Sequence, residues 1–235
     1  IIYISFGGYI MELNENTLNV LKNFSGINQN MLIQQGSTIK TISEARNVLA
    51  TAVVEEEFPQ PFGIYDLNEF IGVLGLVDTP RLKFAEEYVT IGDSTGRSKV
   101  KYFFSPEETL TTPQKDINMP ETEVKFTLTN DTLNKIKRAA STLGHDEVLI
   151  TGNDGVLSLS VVDSQNSTSN AFSIDIDGEF PSGANFNFIL SISNLKILTG
   201  DYDVEISSKL ISCFKHKDLN VKYWIALEKT SSYGV

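Results

Sequence analysis

The sequence predicts an α+β protein made of two similar domains joined by an extended connector. Three observations carry this expectation. Short segments recur once at a nearly constant offset, each half reads as a strand, a capped helix and then several strands, and a proline-containing stretch without periodicity separates the halves.

The repeat is read directly from the residues. Asn16-Thr17-Leu18-Asn19-Val20-Leu21-Lys22-Asn23 matches Asp131-Thr132-Leu133-Asn134-Lys135-Ile136-Lys137-Arg138 at an offset of 115, with four of eight positions identical. Ile64-Tyr65-Asp66-Leu67-Asn68-Glu69-Phe70 parallels Ile189-Leu190-Ser191-Ile192-Ser193-Asn194-Leu195 at an offset of 125. Two matches in the same order indicate a duplicated domain.

In the first half, a strand at Glu12–Leu13 leads into a helix capped by Asn14 or Asn16, whose Leu18, Leu21 and Phe24-Ser25 form an apolar stripe. Strands are expected at Met31–Gln34, Thr38–Ile42 and Val48–Val54, then a helix at Asp66–Val77. Arg81–Phe84, Tyr88–Ile91 and Ser98–Phe104 complete that half. In the second half, Val124–Leu128 leads into a helix capped by Asn130 or Asp131, with Leu133, Ile136, Ala140 and Leu143 at helical spacing. Gly26 and Gly144 stand where the two helices end. Strands follow at Glu147–Thr151, Val156–Val162 and Ala171–Ile176, with Asn153-Asp154-Gly155 as a hairpin turn. A helix at Ser191–Leu198 and strands at Tyr202–Ser207, Leu210–Lys215 and Val221–Leu227 close the half.

Ser105–Pro120 holds three of the seven prolines and reads as a connector. The expected division is therefore an extension at 1–10, a first domain at 11–104, a connector at 105–120 and a second domain at 121–235. Met11 is a natural start. The preceding run is read either as upstream-translated sequence or as an additional strand, since Ile-Tyr-Ile-Ser-Phe has β composition.

Composition excludes several classes. At 41% hydrophobic and 21% charged, the chain has the apolar mass for a packed core. No apolar run reaches the ~18 residues of a membrane-spanning helix. Nineteen Lys and Arg against thirty Asp and Glu give a net charge of −11, which excludes binding of nucleic acid or anionic lipid by bulk attraction. One cysteine, Cys213, fits a reducing compartment, and with two histidines it makes a structural zinc site improbable.

No phosphate-cradling glycine motif is present. Gly92-Asp93-Ser94-Thr95-Gly96 reads as a hairpin turn, Asp175-Ile176-Asp177-Gly178-Glu179 as an exposed turn rather than a calcium loop, and Glu55-Glu56-Glu57 as a solvated loop. The Asn23, Asn130 and Asn166 sequons lack a secretory context. His145 and His216 have no triad partner at recognisable spacing, and Cys213 reads as a buried small hydrophobe. No catalytic constellation, cofactor or metal site is expected, which favours a binding or scaffolding protein over an enzyme.

The sparse cations fall outside the apolar stripes. Lys135, Lys137 and Arg138 lie off the stripe of their helix, Lys22 occupies the position equivalent to Lys137, and Lys196 lies in the fourth expected helix. The spacing alone also fits plain solvation of helix faces.

The chain resembles the sliding clamps of T-even-type bacteriophages. The resemblance is carried by Leu21-Lys22-Asn23-Phe24, by Ile64-Tyr65-Asp66-Leu67-Asn68-Glu69-Phe70-Ile71-Gly72-Val73-Leu74, by Phe186-Asn187-Phe188-Ile189 and Ser193-Asn194-Leu195-Lys196, by Gly200-Asp201-Tyr202, and by Tyr223-Trp224-Ile225-Ala226-Leu227-Glu228. These blocks are collinear and cover most of Met11–Glu228. The resemblance implies a DNA clamp fold, with helices lining the inner face, β-sheets outside, and three subunits closed head to tail into a ring. It implies a non-enzymatic processivity factor that encircles duplex DNA, tethers the replicative DNA polymerase, is loaded by an ATP-driven clamp loader and acts in late transcription. It also implies work in the cytoplasm of the infected bacterial host. Under this reading Lys22, Lys135, Lys137, Arg138 and Lys196 face DNA, with Asn19 and Asn134 beside them. A partner-peptide pocket is expected between the connector and the second domain, with anchors from Phe103, Phe104, Leu110 and Ile225. A phage structural protein with duplicated β-rich domains is the alternative, and a carbohydrate-binding module a more distant one.

Overall fold

A computed structural model of the chain describes residues 3–5, 8–153, 155–166 and 168–234. Ile1, Ile2, Phe6 and Gly7 of the expected extension, Asp154 of the expected hairpin turn and Ser167 of the third sequon lie outside the described residues. The chain divides into two compact units, Ile1–Gln114 and Lys115–Val235.

The first unit contains β1 (Tyr3–Ser5), β2 (Gly8–Glu12), α1 (Glu15–Ser25), β3 (Met31–Ile33), β4 (Gly36–Ile42), β5 (Val48–Phe58), β6 (Phe62–Ile64), α2 (Leu67–Leu74), β7 (Arg81–Phe84), β8 (Tyr88–Gly92) and β9 (Lys99–Phe103). One antiparallel sheet runs β1-β2-β7-β8-β9. β3 pairs with β6, β4 pairs with β5, and β4 also lies against β3. β1, within the run read either as upstream-translated sequence or as an additional strand, lies antiparallel to β2.

The second unit contains β10 (Val124–Leu128), α3 (Asn130–Leu143), β11 (Glu147–Asn153), β12 (Val156–Val162), β13 (Phe172–Ile176), β14 (Gly178–Glu179), β15 (Asn185–Ser191), a 3₁₀ turn at Ile192–Asn194, β16 (Tyr202–Ser207), β17 (Ile211–His216), β18 (Val221–Ala226) and β19 (Ser232–Gly234). Its strands follow the orders β14-β10-β16-β17-β18 and β13-β12-β11-β15-β19. The duplication is visible in this topology. In both units the strand before the first helix pairs with the strand that follows the second helix or its equivalent turn, β2 with β7 and β10 with β16.

The helices form where caps and stripes place them. The Asn14 side chain accepts from the Thr17 N–H at the start of α1, as expected. α3 is capped by Thr129 rather than Asn130 or Asp131. The Thr129 hydroxyl reaches the Thr132 N–H, while the Asn130 N–H donates to Asp201 Oδ1 at 2.7 Å. Gly144 ends α3 in the left-handed conformation, φ 70°, which suits a residue without Cβ.

The buried side of α1 is Thr17, Val20, Leu21 and Phe24, and that of α3 is Thr132, Leu133, Ile136 and Ala140. Leu18 and Leu143, expected in the stripes, are only half-buried. They lie at the edge of each face, and a buried threonine takes the place at the first turn.

Two further expectations are corrected. Glu55-Glu56-Glu57 is not a loop, because β5 runs on to Phe58 and turns Glu56 inward. Ser191–Leu198 is not a helix. β15 occupies Asn185–Ser191 and only one 3₁₀ turn follows. The short polar run Ser191-Ile192-Ser193-Asn194 lacks the length and the apolar stripe that hold a helix.

The core of the first unit centres on Phe62, whose ring lies 5.2 Å from Phe84, 5.3 Å from Phe104 and 5.7 Å from Phe58. Burying each such side chain contributes about 1.5–3 kcal/mol. In the second unit Tyr202, Phe214 and Tyr223 are buried together. The Tyr202 hydroxyl donates to the Leu198 carbonyl at 2.7 Å and the Tyr223 hydroxyl accepts from the Leu198 N–H, so both phenols hold the segment before Gly200. Cys213 is buried, as expected, and burial pushes its thiol up to about 11.

Candidate nucleic-acid interface

The solvent side of α3 is where sparse cations gather. Its buried residues recur every three or four positions, so Asp131, Asn134, Arg138 and Ser141 fall on the opposite side. With Lys137 they line an open concavity of about 550 Å³. Arg138 and Asn134 are exposed. Lys137 sits at the edge of the polar face with its stem half-buried, and desolvation lowers its pKa. Lys135 lies on the other flank and pairs with Asp131 at 2.7 Å, so part of its charge is answered locally.

In the first unit, Lys22 is exposed on α1 beside Asn19 and Glu15, at i, i+4 and i+7 spacing. α2 presents Asn68, Glu69 and Gly72 outward and no cation. Lys196 is exposed, but it follows the 3₁₀ turn and stands on a loop, not on a helix face. Of the five expected residues, then, Lys135, Lys137 and Arg138 lie on one helix, Arg138 on its polar face and Lys137 and Lys135 on opposite flanks of that face. Lys22 belongs to another helix, and Lys196 to no helix.

The expected peptide anchors separate. Phe104 is half-buried against Phe62 and Phe84. Leu110 packs over β6, where a Cβ on Gly63 would stand 2.8 Å from its Cδ1. Ile225 is fully buried in β18, so it has no free face to offer a partner, which corrects its assignment as an anchor. The reason is strand alternation: Tyr223 and Ile225 share the inward side, and Trp224 is only half-buried. Phe103 alone is largely exposed, at 63%, with its ring 5.5 Å from Tyr88.

The connector is ordered on the first unit. Ser105 N–H donates to Gly63 O, the Asn28 amide donates to Thr111 O, and Thr111 N–H donates to Asn30 Oδ1. Beside it, Leu32, Gln34, Gln35, Thr38, Lys40, Glu107, Thr112, Pro113 and Gln114 line a recess of about 410 Å³. That lining is mostly polar, not the apolar pocket expected.

Sequence reasoning missed the basic face of the β7–β9 sheet. Lys83, Lys99 and Lys101 are exposed there, and Lys101 Nζ lies 4.5 Å over the Tyr88 ring. The signal was the alternation Lys99-Val100-Lys101-Tyr102-Phe103, period 2 with cations on one side.

Comparison with known proteins places this geometry. The family model for the C-terminal part of the gp45 sliding clamp matches residues 123–229. The sliding clamp of Vibrio phage KVP40 is 36% identical over 225 residues, spanning 93% of this chain and 99% of that protein. Those of Escherichia phage RB69 and Enterobacteria phage T4 are 29% and 26% identical, each over 95% of this chain and 99% of the relative. Among solved structures, the proliferating cellular nuclear antigen of Entamoeba histolytica aligns with a TM-score of 0.67 at 14% identity, over 93% of this chain and 98% of that one. The PCNA2–PCNA3 complex of Sulfolobus tokodaii aligns with a TM-score of 0.68 at 15% identity, with the same coverage. The fold is thus the α+β DNA clamp fold. Sequence kinship over nearly the whole length goes further: the chain belongs to the phage sliding-clamp family, non-catalytic processivity factors of DNA replication.

Proposed function

We propose that this chain closes as a homotrimeric ring around duplex DNA and tethers the replicative DNA polymerase of its virus. An ATP-driven loader opens and closes the ring, and the loaded ring also serves late transcription in the cytoplasm of the infected bacterium. The observation that carries the reading is the outward side of α3, where Asn134, Lys137 and Arg138 gather in a chain of net charge −11. A sliding ring needs weak contacts. Each neutralised phosphate contributes about −0.9 to the salt slope, so a few cations centre the duplex without holding it. The acidic remainder repels DNA from other surfaces. Lys22 and Lys196 are proposed as lesser contacts, and Lys135, paired with Asp131, as the weakest.

Partner tails are proposed to dock beside the connector, in the recess bounded by Thr38, Lys40, Glu107 and Pro113, with Phe103 as the exposed aromatic nearby in sequence. Phe104 and Leu110 support that segment from beneath.

The test is topological. Loaded onto nicked circular DNA with the cognate loader and ATP, the protein should co-elute with DNA on gel filtration in high salt. Cutting the circle once should release it. Retention on linear DNA with open ends would overturn the encircling ring.

A further inference from the structure

Strands β7, β8 and β9 turn Leu82, Val89 and Ile91 into the core and the alternate residues outward. On the outward face, the ladder register sets Lys83, Thr90 and Lys101 in one row and Arg81, Gly92 and Lys99 in the next. Tyr88 and Phe103 pair on the other side of the Lys101 row. Lys83, Lys99, Lys101 and Phe103 are exposed. Lys101 Nζ lies 4.5 Å over the Tyr88 ring, so cation and aromatic form one surface. Among the described residues, no carboxylate forms an ion pair with Lys83, Lys99 or Lys101. Two acids at the margin are engaged elsewhere. Glu12 pairs with Arg81, and Asp93 accepts from the Thr95 hydroxyl and from the Arg97 and Ser98 N–H groups of its own turn. Glu86 and Glu87 are exposed in the turn that leads into Tyr88.

We propose that this face docks an extended acidic segment of a partner protein, with carboxylates at positions i and i+2 over Lys99 and Lys101 and an apolar side chain at i+4 over Phe103. Side chains on one side of an extended strand stand about 6–7 Å apart, on β9 and on the bound segment alike, so the two patterns match. Lys83 lies two strands from Lys101, about 10 Å away, and answers a further carboxylate on the flank of the segment. Charge selects the occupant. In a chain of net charge −11, an acidic segment is repelled by most of the surface and drawn to the lysines left unpaired here. A nucleic-acid strand fits less well. It carries charge at every phosphate and would bring it against Glu86 and Glu87 at the aromatic end, whereas a peptide places charge at one end and an apolar side chain at the other. The Tyr88 ring that a base would stack on is also covered by Lys101. The face is separate from the recess beside the connector, none of whose lining residues lies on β7, β8 or β9. Its lysines stand in solvent, so docking is weak and sensitive to salt.

The experiment is fluorescence anisotropy of the full chain with a short labelled peptide, Glu-Ser-Glu-Ser-Phe flanked by glycine and serine. Wild type should bind it at micromolar to millimolar protein, and more weakly as salt rises. Lys99→Glu with Lys101→Glu should weaken binding about tenfold or more. Lys83→Glu should weaken it about threefold, and because Lys83 lies off the edge strand its sedimentation should match wild type. A peptide with glutamine in place of both glutamates should bind wild type no better than the acidic peptide binds the double variant. An oligothymidine strand should bind less tightly than the acidic peptide. Absence of peptide binding by wild type, or binding that the double variant leaves unchanged, would overturn the proposal. An oligothymidine strand held more tightly than the peptide, and lost in the double variant, would replace it by a nucleic-acid surface. A silent Lys83→Glu beside a double variant that sediments differently from wild type would overturn it in favour of a contact between copies of this chain.

Discussion

The Thr17 hydroxyl donates to the carboxylate of Glu56, and both groups are buried. The other oxygen of Glu56 accepts from the Asn14 N–H at 2.5 Å. A carboxylate on a strand thus meets the first turn of α1, where backbone N–H groups lack intrahelical acceptors and the helix dipole favours negative charge. Asp201 treats the Asn130 N–H of α3 in the same way.

Replacing Glu56 by Ala should therefore destabilise the first unit by about 1–3 kcal/mol, since it leaves a buried hydroxyl and a helix N–H unanswered. Glu56→Gln should cost less, because its amide oxygen still accepts. Urea unfolding curves of the three proteins would check the order. An alanine variant as stable as wild type would show that water replaces the carboxylate.

Gly200→Ala should be among the costlier single changes. Gly200 has φ +146°, and an added Cβ would collide with His216 Nε2. That histidine has no room to yield. Its Nε2 lies 3.1 Å from Thr199 O, and its Nδ1 accepts from the Asp218 and Leu219 N–H groups. Strain of this kind costs on the order of 1–3 kcal/mol before repacking. The melting temperature should fall by several degrees, and an unchanged value would refute the collision.

Lys137→Glu with Arg138→Glu should leave stability within about 0.5 kcal/mol and impair processive synthesis. The magnitude of the salt slope of DNA binding should drop by about 0.9 for each phosphate that the variant no longer neutralises. Lys135→Glu should matter less, because Lys135 already pairs with Asp131. Wild-type product lengths from the double variant in primer extension would remove α3 from the DNA path.

Alkaline conditions should weaken the fold through Cys213. Burial raises its thiol from 9.0 to about 11. The folded state then holds a proton that the unfolded chain releases earlier. This contribution is whole below pH 9 and is lost between about pH 9 and 11. Cys213→Ala should flatten that part of the curve, measured by urea unfolding at pH 8 and 10.5. At pH 8 a thiol reagent should react only as the protein unfolds.

Much of the fold was legible in residue spacing. Asn14 and Gly144 bound their helices because a cap acts within a few residues, and the alternation in Val124–Leu128, Arg81–Phe84 and Val156–Val162 gave strands with the expected limits. β15 and the 3₁₀ turn after it were harder, since Asn185–Ser191 mixes buried and exposed positions and ends in a polar run that fits several conformations. At the site, the positions of Lys137 and Arg138 outside the apolar stripe followed from helical period. The local pairing of Lys135 with Asp131 is also an i, i+4 relation and lay open to the same reasoning.

By itself the sequence determined the duplication, the connector, the helix that carries most of the expected DNA contacts and the kinship with phage clamps. These depend on local periodicity, capping and residue identity. The tertiary structure alone decided that Glu56 turns inward to Thr17, that Ile225 is sealed in its strand, that Leu110 rests on Gly63, and that β9 and β13 end their sheets. Each of those facts joins residues far apart along the chain. Such pairings follow from which strands lie side by side, a choice that no window of neighbouring residues encodes.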